Sequence, residues 1–365
     1  MREKWSAEAA WDWYRARPWP RGCNFISSNS VNRFDWFQQY DHEAKREATD
    51  RELALLAETG FNSIRIIMDF AAWKLEHDSY LAILEEYLTL AASHGISVLI
   101  TLSNDCSVKK ENIRMPTPGP QPIAWGHHGG TRNSAMVEWR PGDVGYNPQL
   151  DEPEGLAELE AMVTEIVTRY AQDERVLAWD VMNEPGNSNR DLLTAEPLRR
   201  LFAAVRRCDP IQPVTADVWS PGGSAVETLA AELSDVISFH DYRPLADFAV
   251  AVRKWQRYGR PLLCTEWLSR ISHSTVFDIF PILYLERIGC YNWGFVNGLS
   301  QMNEPHEAVW TILEREGAAC TLDPVPWMHD LYRPSLRPYD PKEIALIRRL
   351  CRQADTEDGV PVKNE

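Results

Sequence analysis

The feature that most constrains the fold is a regular alternation of short apolar segments with longer segments of helical sequence, which recurs eight times along the chain. Short apolar segments joined by helices are typical of βαβ units and a parallel sheet. The predicted strands are residues 21–28, 61–68, 96–103, 177–182, 212–218, 236–242, 261–267 and 290–297. Eight such units predict an α/β fold of the closed (β/α)₈ TIM-barrel type, and no GxGxxG follows the first strand to favour a dinucleotide fold.

The same reading predicts one domain that spans residues 1–365. A chain of this length is normal for one barrel with loop insertions. The alternation of strand and helix segments is interrupted once, between residues 104 and 150, by a segment rich in Pro, Gly, His and Trp. This segment predicts a long loop after the third strand, at the active-site end of the barrel. The tail, residues 354–365, is predicted to be frayed.

Composition excludes several functional classes. The formal net charge of -15 argues against nucleic acid or an anionic membrane as partner, because such surfaces require clustered Lys and Arg. No apolar run is long enough to span a bilayer, and the first twenty residues lack a secretory leader, so a cytoplasmic location is expected. The seven cysteines show no metal-type CxxC spacing and are predicted to be reduced thiols.

The most informative motif is LAWDVMNEP, residues 177–185, an apolar run that ends in Asn183 and Glu184 before a proline. A second glutamate, Glu266, holds the same place in PLLCTEW, residues 261–267. Because the two glutamates end strands four and seven, both carboxylates would face the barrel mouth. Two carboxylates flanking a cleft are what glycosidic bond cleavage requires, one protonated to release the leaving oxygen and one ionised to attack. A separation of about 5 Å would imply retention of configuration, and about 6.5–9.5 Å inversion.

These motifs resemble clan A of the glycoside hydrolases, the retaining (β/α)₈ enzymes that include the cellulase-like, family 5-like group. The resemblance covers nearly the whole chain, from Gly22 to about Leu350. It implies that Glu184 is the acid/base, that Glu266 is the nucleophile, and that Asn183 donates to the sugar 2-hydroxyl. An acid in this position is expected to have a raised pKa, through burial or the charge of Glu266.

The resemblance also implies supporting roles for four further residues. Arg65, in SIRII, matches an arginine that supports the nucleophile. His240 and Tyr242, in FHDY, match a His-x-Tyr pair whose tyrosine hydrogen-bonds the nucleophile. Trp293, in CYNWGFVN, matches the tryptophan that floors the subsite of the cleaved sugar.

Other cleft residues are predicted from their places alone. Asn24 ends strand one, and Asn104 and Asp105 end strand three, where many relatives of the resembled clan carry a histidine instead. Trp125, in the long loop, and Trp267, after the nucleophile, are candidate sugar platforms because aromatic faces accept CH-rich sugar faces.

The sequence therefore predicts a retaining β-glycoside hydrolase, exo-acting on soluble β-linked oligosaccharides or glycosides, with a carbohydrate as its partner and no cofactor or metal. An endo-acting β-glycanase of the xylanase or cellulase type, and a transglycosidase, would use the same residues. A metal-dependent barrel hydrolase with His127 and His128 as ligands is a further alternative, but the chain has no HxH on strand one and no helix with two histidines one turn apart. A carbohydrate-binding protein on an inactive barrel is the remaining alternative. Oligomeric state, sugar and linkage cannot be predicted.

Overall fold

A computed structural model describes residues 2–130, 142–220 and 222–360. Strands and helices alternate as in a (β/α)₈ barrel, which confirms the predicted fold class. The strands are β1 (Arg21–Asn24), β2 (Ser63–Ile67), β3 (Ser97–Thr101), β4 (Val176–Asp180), β5 (Val214–Thr215), β6 (Ile237–His240), β7 (Leu262–Trp267) and β8 (Gly289–Asn292). The helices are α1 (Ala7–Arg15), α2 (Arg33–Phe37), α3 (His42–Thr59), α4 (Phe70–Leu75), α5 (His77–Ser93), α6 (His127–Gly130), α7 (Pro148–Asp151), α8 (Pro153–Tyr170), α9 (Ala195–Arg207), α10 (Ala225–Leu233), α11 (Leu245–Gln256), α12 (Val276–Leu285), α13 (Glu307–Glu316) and α14 (Pro341–Glu357).

The eight strands form one parallel sheet in the order β5-β4-β3-β2-β1-β8-β7-β6. The ring closes between β5 and β6 through a single bridge that joins Val218 to Phe239. Nearly every strand position is buried, because helices cover the outer face and the opposite strands fill the inner face. The carboxyl ends of all eight strands thus open on one face.

The opposite end of the barrel is covered by α1. Ala10 and Tyr14 of this helix are buried against residues of the barrel interior, among them Leu99, Leu177 and Leu263. The Tyr14 hydroxyl donates to the carbonyl oxygen of Arg287 at 2.6 Å. The N-terminal segment therefore closes the base of the barrel, and the carboxyl ends of the strands stay open at the opposite face.

The C-terminal tail differs from its prediction. Helix α14 continues to Glu357, its Ala354 is fully buried, and Asp355 accepts from Arg21 at 2.6 Å. Asp358 pairs with Arg287. These contacts tie the helix to the barrel base, so the expectation of fraying from residue 354 is wrong for residues 354–360, and residues 361–365 lie outside the described part of the chain.

A buried glutamate on α3 predicts a pH dependence of stability. Burial raises the pKa of Glu52 to about 7, although Ser28 donates to it through its backbone nitrogen at 3.1 Å and through its hydroxyl at 2.5 Å. A carboxyl whose pKa is higher in the folded state stabilises the fold below its unfolded pKa, and that stability is lost as pH rises through the folded value. Glu52→Gln removes the ionisation. Its free energy of unfolding relative to wild type should therefore rise by about 1–3 kcal/mol between pH 5 and pH 8.

Urea unfolding at the two pH values measures this change. The exposed pair Lys74 and Glu158 supplies the control, since Glu158→Gln should show no comparable trend with pH. An unchanged difference between Glu52→Gln and wild type across this range would show that Glu52 has an ordinary pKa.

Candidate active site

The predicted site residues come together at the carboxyl ends of the strands. Arg65 lies within β2, His240 ends β6 and Glu266 lies near the end of β7. Asn183 and Glu184 follow β4, and Trp293 follows β8 directly. Glu184 has a positive φ of 48°, a strained backbone conformation for a residue other than glycine and one that clusters at functional sites.

Arg65 is the centre of the assembly. Its guanidinium is fully buried beneath the barrel mouth. The two terminal nitrogens donate at 2.7–2.9 Å to oxygens of five side chains, those of Asn24, Asp180, Asn183, Asp217 and Glu266. Burial alone would lower the pKa of Arg65, but the charges of the three carboxylates outweigh it and raise the pKa. The planar fork of an arginine suits several oxygens at fixed positions, so Arg65 sets the geometry of the whole site.

Glu266 is held by donors on both oxygens. Arg65 donates to Oε1 at 2.9 Å, and the Tyr242 hydroxyl donates to Oε2 at 2.7 Å. Burial acts to raise the pKa of Glu266, and the charge of Glu184 acts in the same direction. The charges of His240 and Arg65 act to lower it but do not outweigh burial, so the pKa of Glu266 is raised.

Glu184 also accepts from several donors. His240 Nδ1 lies 2.8 Å from Oε1, and Asn187 Nδ2 and Cys106 Sγ donate to Oε2 at 2.5 Å and 3.3 Å. Burial acts to raise the pKa of Glu184, but the hydrogen bond and charge of His240 outweigh it, so the pKa is lowered. The expectation of a raised pKa is thus wrong for the free protein.

His240 contacts three carboxylates. Its Nδ1 lies 2.8 Å from Glu184 Oε1 and 3.4 Å from Glu266 Oε2, and its Nε2 lies 3.2 Å from Asp217 Oδ2. Burial would lower the pKa of His240, but the charges of Glu266 and Asp217 raise it well above the ordinary value. Carboxylates at both ring nitrogens favour the imidazolium, which can donate from Nδ1 to Glu184.

The two glutamates are close enough to act on one atom. One carboxylate oxygen of Glu184, one of Glu266 and a ring nitrogen of His240 all lie within 4.8 Å of one another. A buried carboxylate beside a second carboxylate that has a proton donor can attack a carbon from one side and pass a proton on the other.

Sequence reasoning missed two aspartates beneath Arg65. Burial and the charge of Asp217 raise the pKa of Asp180 to about 8, while Arg65 and His240 outweigh burial at Asp217 and lower its pKa. These opposite shifts predict that Asp180 carries the proton of the carboxyl pair and that Asp217 is its ionised partner. The available signal was an aspartate inside each of two apolar strand segments, LAWDV and TADV.

The residues after β3 support the loop that carries Glu184. Asn104 accepts from Asn183 Nδ2 at 2.9 Å. Asp105 is fully buried and accepts from Arg190 at 2.7 Å and from the Gly186 nitrogen at 2.7 Å. Asn104 thus adjoins the cleft, whereas Asp105 lies behind it.

Asn24 lies below the cleft floor, where its Oδ1 accepts from Arg65 and its Nδ2 donates to the carbonyl oxygen of Thr265 at 2.8 Å. It therefore positions the arginine.

The three tryptophans have different environments. Trp293 is half-buried at the strand ends, and its Nε1 donates to Met302 Sδ at 3.2 Å. Trp125 is 66% exposed in the long loop, so its ring is available to a ligand, and its role as a platform stays a prediction. Trp267 is 1% exposed and stacks on Phe280 with ring centroids 5.9 Å apart. Its side chain faces the barrel's outer layer, so the prediction that Trp267 is a sugar platform is wrong.

The charge of His240 predicts a shift in the pH profile. Because His240 is a main cause that lowers the pKa of Glu266, His240→Gln should raise that pKa further. If Glu266 is the nucleophile, as the sequence predicts, the acidic limb of kcat/KM reports its ionisation and should move to higher pH by about one unit. Tyr242→Phe removes a donor from Glu266 without touching Glu184 and should shift the limb in the same direction. An acidic limb that stays at the wild-type pH in His240→Gln would mean that His240 is neutral.

A family model described as "Cellulase (glycosyl hydrolase family 5)" matches residues 20–269. This range includes every strand from β1 to β7 and both glutamates. A search of curated protein sequences found no match.

Several solved structures are similar to the whole barrel. An exo-β-1,4-mannosidase from Opitutaceae bacterium strain TAV5 has a TM-score of 0.58 at 16% identity; the match covers 94% of this chain and 60% of that one. A family 5 mannosidase from Rhizomucor miehei has a TM-score of 0.54 at 13% identity, with 92% and 94% covered. A β-mannanase from the blue mussel Mytilus edulis has a TM-score of 0.52 at 14% identity, with 76% and 86% covered. At these identities the likeness shows the fold alone.

No helix among the residues described here is both long and apolar enough to cross a membrane.

Proposed function

We propose a mechanism, a mode of action and a substrate class on the premise that this chain belongs to glycosyl hydrolase family 5. On that ground the protein is a glycosidase. The observation that carries the mechanism is the approach of the Glu184 and Glu266 carboxylate oxygens to within 4.8 Å. This spacing suits a covalent intermediate, because an inverting pair must leave room for water between the carboxylates.

In the proposed double displacement, Glu266 attacks the anomeric carbon while a proton passes from Glu184 to the leaving oxygen. Glu184 obtains that proton from His240 Nδ1, 2.8 Å from its Oε1. Once the ester forms, Glu266 is neutral, and Glu184 can take a proton from water that attacks the same carbon. The second displacement restores the original configuration and frees Glu266, and the proton that Glu184 takes from water returns to His240 Nδ1.

Contacts between two loops favour exo-action. The Gly129 nitrogen of the long β3 loop donates to the Ser300 carbonyl oxygen at 2.7 Å, and Gln301 Nε2 of the β8 loop donates to the Ala124 carbonyl oxygen at 2.6 Å. These hydrogen bonds join residues 124–129 to residues 300–301, and the two joined segments form a wall of the cleft. This wall lies beside Trp293, whose ring centroid is 5.7 Å from that of His128. A wall on the side of the subsite for the cleaved sugar would leave room for a chain end but not for a continuing chain.

We infer that the substrate is a soluble β-linked oligosaccharide or glycoside, and that β-mannosides should be tested first. The choice of β-mannosides rests on the family membership together with the mannosidases and mannanases of similar fold.

Product analysis separates the modes of action. With β-1,4-linked mannopentaose, xylopentaose and cellopentaose, the exo-acting enzyme should release a monosaccharide and a tetrasaccharide first. Gln301→Ala removes two hydrogen bonds of the wall, one to the Ala124 carbonyl oxygen and one from the Gly126 nitrogen, and should increase internal cleavage relative to wild type. Disaccharides and trisaccharides as first products of wild type would instead establish endo-action, and coupling of the released sugar to an added acceptor in preference to water would establish a transglycosidase.

A further inference from the structure

Three histidines from distant parts of the chain meet beside the active site. His127 begins α6 in the long β3 loop, His306 precedes α13, and His329 lies between α13 and α14. One ring nitrogen of each lies within 4.8 Å of those of the other two. His127 and His329 are 2% and 0% exposed, and none of the three contributes to the hydrogen bonds of the two glutamates described above.

Backbone carbonyls fix the orientation of two of these rings. His127 Nδ1 lies 2.9 Å from the Glu304 carbonyl oxygen, and His329 Nδ1 contacts the Leu268 carbonyl oxygen. A carbonyl oxygen only accepts, so each Nδ1 carries the hydrogen and each Nε2 keeps its lone pair. This is the arrangement by which proteins orient histidine ligands of metal ions. His329 Nε2 is buried and has no hydrogen-bond partner within the described residues, which is costly unless something else binds it.

We propose that His127, His306 and His329 bind a divalent transition-metal ion, with Zn²⁺ as the reference. Three imidazole nitrogens with one further position make a normal zinc site, whereas Mg²⁺ and Ca²⁺ prefer oxygen ligands. With Zn–N bonds of about 2.0–2.1 Å, tetrahedral ligand nitrogens are about 3.4 Å apart, so small ring movements would close the site. His128 is the candidate for the fourth position, because its ring centroid is 4.0 Å from that of His127 and its Nε2 is buried with no hydrogen-bond partner within the described residues.

The ion would join the two loops that form the wall, since His127 belongs to the β3 loop and the other two ligands follow β8. The His329 ring centroid lies 5.5 Å from that of Tyr242. The metal would thus link the two loops beside the cleft. His306 and His329 lie beyond residue 269, where the family match ends, so two of the three proposed ligands are outside the matched region. The proposal does not depend on the substrate or on the mode of action.

Zinc binding by the full chain tests the proposal. Protein stripped of metal with a chelator and dialysed is titrated with Zn²⁺ in a calorimeter. We expect one ion per chain and a higher temperature of unfolding in zinc. Titration with Co²⁺ should give the visible absorption of a tetrahedral site. His306→Ala and His329→Gln should each weaken zinc binding by about 100-fold or more, since removal of an outer partner alone costs about 10–100-fold.

Two controls make the result specific. His273→Gln changes an exposed histidine and should bind zinc as wild type does. Glu184, His240 and Glu266 form a second group with equally close ligand atoms, so Glu184→Gln tests whether zinc binds there instead. Because His306 is partly exposed, His306→Ala should keep the fold. Absence of zinc binding in wild type, retention of wild-type affinity in folded His306→Ala, or loss of binding in Glu184→Gln alone would overturn the proposal.

Discussion

Glu266→Ala is expected to lower kcat by about 10⁴-fold or more, because the covalent intermediate can form on no other group in the site. Glu184→Ala should behave differently. An acidic phenol leaves an aryl glycoside without proton transfer, so Glu266 of this variant can still form the glycosyl-enzyme. The glycosyl-enzyme then accumulates because no base activates water. Azide needs no base and should restore turnover of this variant, giving a glycosyl azide of retained configuration.

The measurement is initial rate on a panel of aryl β-glycosides, with and without azide, and product configuration by NMR. Cys106→Ser provides the matched control, because it alters one donor to Glu184 and leaves both carboxylates in place. If both alanine variants keep wild-type rates on a substrate that wild type cleaves, the assignment of the two glutamates is wrong. A glycosyl azide of inverted configuration from Glu184→Ala would show instead that Glu266 forms no covalent intermediate.

Local sequence signals were sufficient to predict most of the scaffold. Pro153 begins α8, a position that suits a proline, and Gly60 ends α3 in the left-handed conformation that a glycine adopts most easily. The strands are shorter than predicted. In the segment 212–218 only Val214–Thr215 forms a strand, and Val218 rejoins the barrel through its bridge to Phe239. Apolar patterning therefore marks where a strand lies but not where the barrel mouth begins.

Side-chain direction and charge state could not be predicted in the same way. Trp267 is adjacent to Glu266, and alternation along β7 turns it to the opposite face, where it packs on Phe280. The pKa of Glu184 depends on His240, which comes from another strand, and sequence cannot supply the 2.8 Å contact between them.

The histidine cluster was missed for a related reason. Short spacings in the sequence place only His128 near His127, whereas the structure brings His127 to His306 and His329 through two loops.

Arg65→Gln is expected to lower the free energy of unfolding by about 3–5 kcal/mol, because it leaves buried carboxylates without their cation. Glutamine cannot replace a charge that Glu266 and Asp217 both contact, so activity should fall as well. Urea unfolding at pH 7 measures the stability, and catalytic assays on the folded fraction measure the activity.

Double variants that combine Arg65→Gln with a substitution of Asp180 or Asp217 test which of these two aspartates carries the proton. Asp217 is the ionised member of the pair, so Asp217→Asn combined with Arg65→Gln should recover a large part of the lost stability. Because the pKa of Asp180 is raised to about 8, Asp180 is already neutral at pH 7, and Asp180→Asn should recover little in the same background. Equal recovery by the two double variants would mean that the charge is shared between both carboxyls. Greater recovery with Asp180→Asn would place the negative charge on Asp180 and reverse the assignment.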